Sequence, residues 1–404
     1  MSEASIAGAS VRLPGWAWTP RDRKTAWLCT ILIAAFLCFL VAAIHIQVDA
    51  EVGKPYLSGD FFALWSWAKI AFSHPVAELY DAGKLHDAQL ALGMLPLEQA
   101  PFPYPPTFLL MLWPLGFLSY GAAYAAWIGV TLPLCLLASC AGARGKAPMA
   151  VATLLAPTTA VCLVCGQSGF LLAALLVGGL RLLPRRPVLA GVLFGLLAYK
   201  PQFGILLPVA LVAAGQWRCI AAACATTAGL VVVTVAAFGA SMWETWWRAL
   251  PVYAAWFYKV MVANPLMPTV LTNLQRLGAS QGLARAAQVA AALAAGIVVW
   301  RAWRRLPHSL AVPALLAATC LATPYAFVYD LPMLSSAVFL FAAHRLRSTG
   351  SLVLSETVVL VMVLVIPVVM SFPDLHVPIS TIAISLFLAL ILATGSAAER
   401  PGPG

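Results

Sequence analysis

Charged residues are scarce in this 404-residue chain. Asp, Glu, Lys and Arg make up only 9% of it, whereas 62% is hydrophobic. A soluble protein of this length needs a much more polar surface, and apolar stretches of membrane-spanning length recur from residue 25 to residue 395. The first of them, 25–46, lacks a small-residue cleavage site and is predicted to be a retained span. The sequence therefore predicts an all-α polytopic membrane protein.

The chain also lacks paired cysteines and visible internal repeats. Its nine cysteines are scattered singly through apolar segments, apart from Cys162 and Cys165, and no histidine or second pair stands beside these two. Neither a disulfide framework nor a zinc site is expected. We expect no metal and no cofactor, although the mixed loop residues Asp81, His86 and Asp87 leave metal dependence open.

The net charge of +10 indicates membrane topology rather than nucleic-acid binding, because the arginines lie between the apolar runs. If 106–140 makes one net crossing and 188–214 enters and returns, 16 of the 24 basic residues but four of the 14 acids fall on one side. That side is predicted to be cytoplasmic. It holds the tails 1–24 and 396–404, and 25–395 forms one transmembrane domain.

This threading predicts three extracytoplasmic segments that are too polar and aromatic to be simple connectors. They are residues 47–105, 240–279 and 322–330. Long loops on one face of a membrane protein are where function is usually placed. The site is therefore expected on the outer face of a plasma-membrane protein.

Asp60 is a lone acid at the start of the aromatic segment 61–72. The segment is predicted to be a helix in the membrane interface. Trp65 and Trp67 suit the headgroup zone, and the Lys69 side chain can extend to place its ammonium in water. Asp60 is either the N-cap of that helix or a functional carboxylate, and the two roles are compatible.

Lys200 and Gln202 interrupt a long apolar run, and Pro201 breaks the helix between them. An ionisable residue at membrane depth usually lines a polar cavity, and a phosphate is a natural partner for such a lysine. Arg276 is a second candidate phosphate ligand. Arg248 lies nearby in sequence, in a tryptophan-rich stretch typical of an interfacial helix.

Two further motifs place polar groups at the ends of spans. Gln167 and Ser168 lie in "CGQSGF", which is either a tight glycine-bounded turn or part of the site. Tyr325 and Asp330 lie in "ATPYAFVYD", where Asp330 is either a helix cap or a hydrogen-bond partner of the substrate.

Five separated stretches, in order, resemble glycosyltransferase family 87, which includes polyprenol-phosphate-mannose-dependent α-mannosyltransferases. They are "GDFFALWSWAKIAFSHPVAELYD", "YPPTFLLMLWPLGFL", the stretch from "GQSGF" to "GQWR", "MPTVLTNLQRLGA" and "ATPYAFVYDLPML". The resemblance runs from about residue 55 to 340. It implies the C-type glycosyltransferase fold, with about 10–13 transmembrane helices and interfacial helices on the outer face.

The resemblance also implies a chemistry. The donor would be a polyprenyl-phosphate sugar, with mannose expected, and the acceptor a glycan or glycolipid. Asp60 matches the family's catalytic acid. The residues themselves fit this chemistry: Asp60 would act as general base in an inverting displacement, and Lys200 and Arg276 would hold the donor phosphate. The expected substrate-binding residues are Tyr104, Gln167, Gln202, Tyr325 and Asp330. The acceptor, the exact sugar and the oligomeric state stay open.

Two other classes of protein are compatible with the sequence. A transporter or flippase of lipid-linked sugars would use Lys200 and Pro201, but such proteins often carry internal repeats and midplane ionisable residues. A non-enzymatic partner in an envelope complex would not need an acid beside a cavity. The clustering of acids in the outer loops favours the enzyme.

Overall fold

The computed structural model describes residues 60–94, 98–140, 146–261, 264–371 and 378–398. Every regular element in these ranges is a helix. The predicted first span, 25–46, lies outside them.

The first nine α-helices are α1 Phe61–Ile70, α2 Ala82–Ala91, α3 Pro106–Leu112, α4 Tyr120–Cys140, α5 Lys146–Leu154, α6 Pro157–Cys165, α7 Gly169–Leu182, α8 Pro187–Leu196 and α9 Leu207–Ala213. The following helices are α10 Trp217–Phe238, α11 Ala240–Met261, α12 Val270–Arg276, α13 Gln281–Arg305, α14 His308–Ala322, α15 Pro332–Thr349, α16 Leu354–Leu364, α17 Ile366–Met370 and α18 Ile379–Ala398. Short 3₁₀ turns occupy Val76–Tyr80, Trp113–Phe117, Leu197–Tyr199, Pro201–Gly204 and Val328–Asp330.

Within the described ranges, four helices are long and apolar enough to cross a bilayer, namely α4, α10, α13 and α18. The pair α5 and α6, bent by 56°, makes a fifth candidate if it is one broken span. Six shorter apolar helical segments accompany them. The predicted all-helical membrane class is confirmed, whereas the count of 10–13 spans stays a prediction.

The core lies around α14, in which 12 of the 15 residues are buried. This helix packs against α13, α15 and α18. By contrast, α10 and α13 leave large aliphatic side chains such as Val232 and Leu293 exposed. Apolar exposure on long apolar helices is the pattern of a surface that faces lipid.

Both long apolar runs are broken where the sequence carries proline and glycine. The run 106–140 forms α3, the 3₁₀ turn Trp113–Phe117 and then α4. The run 188–214 forms α8 and α9, separated by two 3₁₀ turns that meet at Lys200. Pro114 and Pro201 lie in the turns that follow these helices, where proline, which lacks a backbone donor and clashes with the preceding turn, keeps the helix from continuing.

Helix α1 forms where predicted, but its side chains lie differently from the expected interfacial arrangement. Trp67 is buried and donates from Nε1 to the carbonyl of Ala100, at 2.9 Å. Lys69 donates to the carbonyl of Gly116, at 3.1 Å, instead of snorkelling to the headgroups. Trp67 therefore faces the protein interior and not lipid, because α1 is packed into the protein on several sides, whereas its depth in the membrane interface stays a prediction.

Candidate active site

Asp60 lies directly before α1 and is exposed. Its side chain accepts no hydrogen bond from the first turn of α1, all of which the structure describes. The N-cap interpretation is therefore not supported. The next residue, Phe61, is fully buried between the rings of Tyr120 and Tyr124, with centroids 5.6 Å and 5.3 Å away. The packing of Phe61 therefore anchors the backbone next to Asp60.

The "CGQSGF" turn joins this end of α1 to the rest of the site. Gly166 has a left-handed φ of +64°, and a Cβ added there would collide with Phe61. A Cβ added at Gly169 would overlap the carbonyl oxygen of Tyr329. The turn therefore packs between Phe61, which follows Asp60, and Tyr329, which precedes Asp330.

Lys200 and Asp330 form an ion pair at the centre of the site. Lys200 Nζ lies 2.6 Å from Asp330 Oδ1, and each side chain is only 2% exposed. The other carboxylate oxygen, Oδ2, accepts the backbone N–H of Phe327 at 3.1 Å. Two residues 130 positions apart thus satisfy each other in an interior where an isolated charge would be very costly.

Aromatic rings surround the pair. Tyr199, next to Lys200 in sequence, stacks on Phe108 with centroids 4.7 Å apart and donates to the carbonyl of Ser168. Lys200 Nζ lies 5.3 Å from the centre of the Tyr329 ring. These rings border the buried ion pair and lower the polarity of its surroundings.

Tyr104 and Tyr325 are half-buried and border the same site. Burial raises the pKa of the Tyr104 phenol, and the Lys200 ammonium opposes that rise. The carboxylates of Asp330 and Asp60 add to it. Burial likewise raises the pKa of Tyr325, with Tyr104 and both carboxylates adding to the rise. Both phenols stay neutral at physiological pH, and both feel the two acids at once.

Arg276 and Gln202 lie at the edge of this arrangement. Arg276 Nη1 donates to the carbonyl of Pro265 at 3.4 Å. The adjacent Leu266 carbonyl accepts the backbone N–H of Val328, two residues before Asp330, at 3.0 Å. Arg276 is therefore attached to the segment that flanks the ion pair. Gln202 is half-buried, and none of the hydrogen bonds seen in the described residues joins it to the pair.

Gln167 is predicted to bind substrate but is only 6% exposed. Its carbonyl accepts from Cys162 Sγ, and its side-chain oxygen faces the Ser168 N–H at 3.4 Å. These contacts favour the tight-turn interpretation of the motif. The neighbouring Ser168 hydroxyl is buried and has no hydrogen-bond partner in the described part of the chain.

Sequence reasoning missed two features of the site. It treated Lys200 and Asp330 separately, although a lone lysine at membrane depth and a lone acid at the end of a span are candidates to pair. It also left out Phe108 and Tyr199, which resemble ordinary apolar core residues. Asp81, considered as a possible metal ligand, caps α2 by accepting the N–H groups of Gly83 and Lys84. Among the described residues, no three potential ligands cluster as a metal site.

Comparison with known proteins identifies the family. No curated protein and no solved structure matches the chain. The family model of glycosyltransferase family 87, in contrast, matches residues 102–324. This range contains Lys200 and Arg276, begins after Asp60 and ends before Asp330. Because it covers just over half of the 404 residues, the chain belongs to glycosyltransferase family 87 and is a membrane glycosyltransferase.

Proposed function

We propose that this enzyme transfers a sugar, mannose, from a polyprenyl-phosphate carrier to a glycan or glycolipid acceptor. The reaction takes place on the extracytoplasmic face of the plasma membrane. The observation that supports this assignment best is the short structural connection between an exposed acid and a buried cation. Asp60 and Lys200 are joined through the "CGQSGF" turn, which touches Phe61 on one side and Tyr329 on the other.

In this proposal Asp60 is the general base. Its exposure suits a group that meets a water-soluble acceptor, and the packing of Phe61 holds it in place. Asp60 takes the proton of the acceptor hydroxyl while the acceptor oxygen forms a bond to the anomeric carbon. The bond from that carbon to the phosphate oxygen breaks, and its electron pair leaves with the phosphate. Direct displacement of this kind inverts the anomeric centre.

The phosphate is assigned to Lys200 and Arg276. Negative charge grows on the phosphate as the sugar leaves, and fixed cations in a dry site stabilise that charge more than water does. Lys200 has the burial for this task, and Arg276 lies on the adjoining segment. Arg276 is needed because Asp330 already neutralises Lys200, so the pair by itself carries no net positive charge.

We assign the substrate contacts to Tyr104 and Tyr325, whose half-buried neutral phenols suit sugar hydroxyls, and to Gln202 beside Lys200. Asp330 acts on the phosphate through Lys200. Gln167 shapes the turn.

The proposal is tested with purified protein, a panel of radiolabelled polyprenyl-phosphate sugars and acceptors extracted from membranes. Asp60→Asn should lower the rate of sugar transfer by about 10²- to 10⁴-fold while leaving donor binding nearly intact. Asp87→Asn is the matched control, because Asp87 is an exposed acid on α2 in the same predicted outer loop. It should keep the wild-type rate.

The possible results separate the alternatives. Transfer by Asp60→Asn at the wild-type rate would remove Asp60 as the base. A wild-type protein that moves lipid-linked sugar across vesicle membranes without transferring it to any acceptor would be a flippase instead. Transfer from a different lipid-linked sugar would correct the choice of mannose only.

A further inference from the structure

The Lys200–Asp330 pair places a fixed negative charge beside the proposed phosphate ligand. Both side chains are 2% exposed and 2.6 Å apart. An anion that approaches Lys200 therefore also approaches Asp330, in a medium where charges are poorly screened. A site that only bound phosphate would not need a carboxylate in contact with its main cation.

Asp330 has little freedom to move away when an anion arrives. Its Oδ2 accepts the N–H of Phe327 while Oδ1 receives Lys200. The backbone next to it is held by the Val328 N–H bond to Leu266 and by the close approach of Gly169 to the Tyr329 carbonyl. The carboxylate is thus kept at the ammonium in a rigid segment.

The charge on the lipid phosphate changes during the proposed reaction. In the donor the phosphate is a diester and carries one negative charge. When the bond to the sugar breaks and the electron pair stays on oxygen, the product polyprenyl phosphate is a monoester, which carries nearly two charges at pH 7 because its second pKa is about 6. A neighbouring carboxylate therefore repels the product more than the donor.

We propose that Asp330 is a positioning residue that holds Lys200 and lowers the affinity of the site for lipid-linked phosphate. The effect is largest for the dianionic product, so that polyprenyl phosphate is released. This inference rests on the proposed function, since it requires a polyprenyl-phosphate donor. It assigns to Asp330 an effect on product release and to Lys200 the direct contact with phosphate.

The first test is Asp330→Asn, which keeps the shape of the side chain and an oxygen for the Phe327 N–H. We expect this variant to bind polyprenyl phosphate at least about tenfold more tightly than the wild type, and the donor only about two- to threefold more tightly. Inhibition by added polyprenyl phosphate should rise and kcat should fall, while KM for the donor falls or stays level.

The matched control is Glu356→Gln. Glu356 is the buried acid of a second ion pair, with the partly buried Arg345, and also accepts a backbone N–H, from Val353. Its loss should leave both lipid affinities unchanged. A folded Asp330→Asn protein with unchanged or weaker product binding would overturn the inference, as would an equal gain for donor and product.

A second test needs no variant. The methyl ester of polyprenyl phosphate is a monoanion at all relevant pH values, whereas polyprenyl phosphate is mainly a dianion above pH 7. The wild type should bind the two lipids with similar affinity, because Asp330 offsets the attraction of Lys200 and Arg276 for the dianion, although a site with only cations would strongly prefer the dianion. A preference of about tenfold or more for the dianion would refute the role of Asp330 and leave the donor class standing. Failure of the wild type to bind either lipid would overturn the donor class, and this inference with it.

Discussion

Two ion pairs, one buried and one partly buried, lie near opposite ends of α15. Asp330, of the Lys200–Asp330 pair, lies just before the first residue of this helix. Arg345, of the Arg345–Glu356 pair, lies in its last turns. Since Asp330 and Arg345 are 15 residues apart, an α-helical rise separates them by about 22 Å. Both pairs are short, at 2.6 Å and 2.5 Å, and in both the acid also accepts a backbone N–H.

The surroundings of the two pairs differ. Arg345–Glu356 joins residues 11 positions apart on consecutive helices, and Arg345 is 19% exposed. Lys200–Asp330 joins distant segments and is bordered by aromatic rings, and Tyr104 interacts with both members of the pair and with Asp60. A buried ion pair alone is thus weak evidence for function. The converging acids, phenols and broken helices distinguish the first pair from the second.

The largest effect should come from removing one member of each pair. Lys200→Met leaves Asp330 buried and unpaired, and we expect a loss of about 3–5 kcal/mol in the free energy of unfolding together with a loss of donor affinity of about ten- to 150-fold. Arg345→Met should also lower stability but leave donor affinity unchanged. Thermal unfolding in detergent and binding of labelled donor measure the two quantities.

Replacing both members of a pair sharpens this comparison. Lys200→Met combined with Asp330→Leu should recover much of the stability, because apolar residues of similar volume often replace a buried pair without cost, yet donor binding should stay lost. Arg345→Met combined with Glu356→Leu should keep donor binding. Recovery of donor affinity in the first double variant would show that the Lys200 pair is only structural.

The sequence was sufficient for the membrane class, the family and the positions of the helix breaks. Each of these depends on local composition or on proline, as at Pro114 and Pro201. It was not sufficient for pairing, because residues 200 and 330 meet only through packing of distant helices. Nor did it reveal that Trp67 is buried. An amphipathic segment at a membrane surface and a packed helix whose polar side chains bond to loop carbonyls have similar sequences.

A smaller effect is expected from Gly169, which links the first pair to the "CGQSGF" turn. Gly169→Ala forces a methyl group into the Tyr329 carbonyl oxygen, so that α7 and the 3₁₀ turn Val328–Asp330 must separate. We expect a cost of about 1–3 kcal/mol in the free energy of unfolding and a lower rate of transfer.

Gly121→Ala serves as the control for this change. A Cβ at Gly121, in α4, meets no atom within 4 Å, and alanine is the better helix former. This variant should be as stable as the wild type or slightly more stable. If Gly169→Ala matched it in stability and transfer rate, the turn would not be the rigid connection between Asp60 and Asp330 that we describe.

The smallest effect is expected from Arg276, the cation proposed to give the site around Lys200–Asp330 its net positive charge. Since Lys200–Asp330 is neutral, donor binding by this site requires positive charge from elsewhere, and Arg276 is the proposed source. Arg276→Gln should weaken donor binding by about three- to tenfold and product binding by more, because the product carries the larger charge.

Arg248→Gln is the control, since Arg248 is 77% exposed and paired with Glu244 on the predicted outer side. Equal losses in the two variants would mean that a diffuse surface field, not a placed guanidinium, attracts the lipid phosphate. If Arg276→Gln bound the donor as tightly as the wild type, Arg276 would not be the cation of this site. Lys200–Asp330 would then be a neutral structural pair, like Arg345–Glu356.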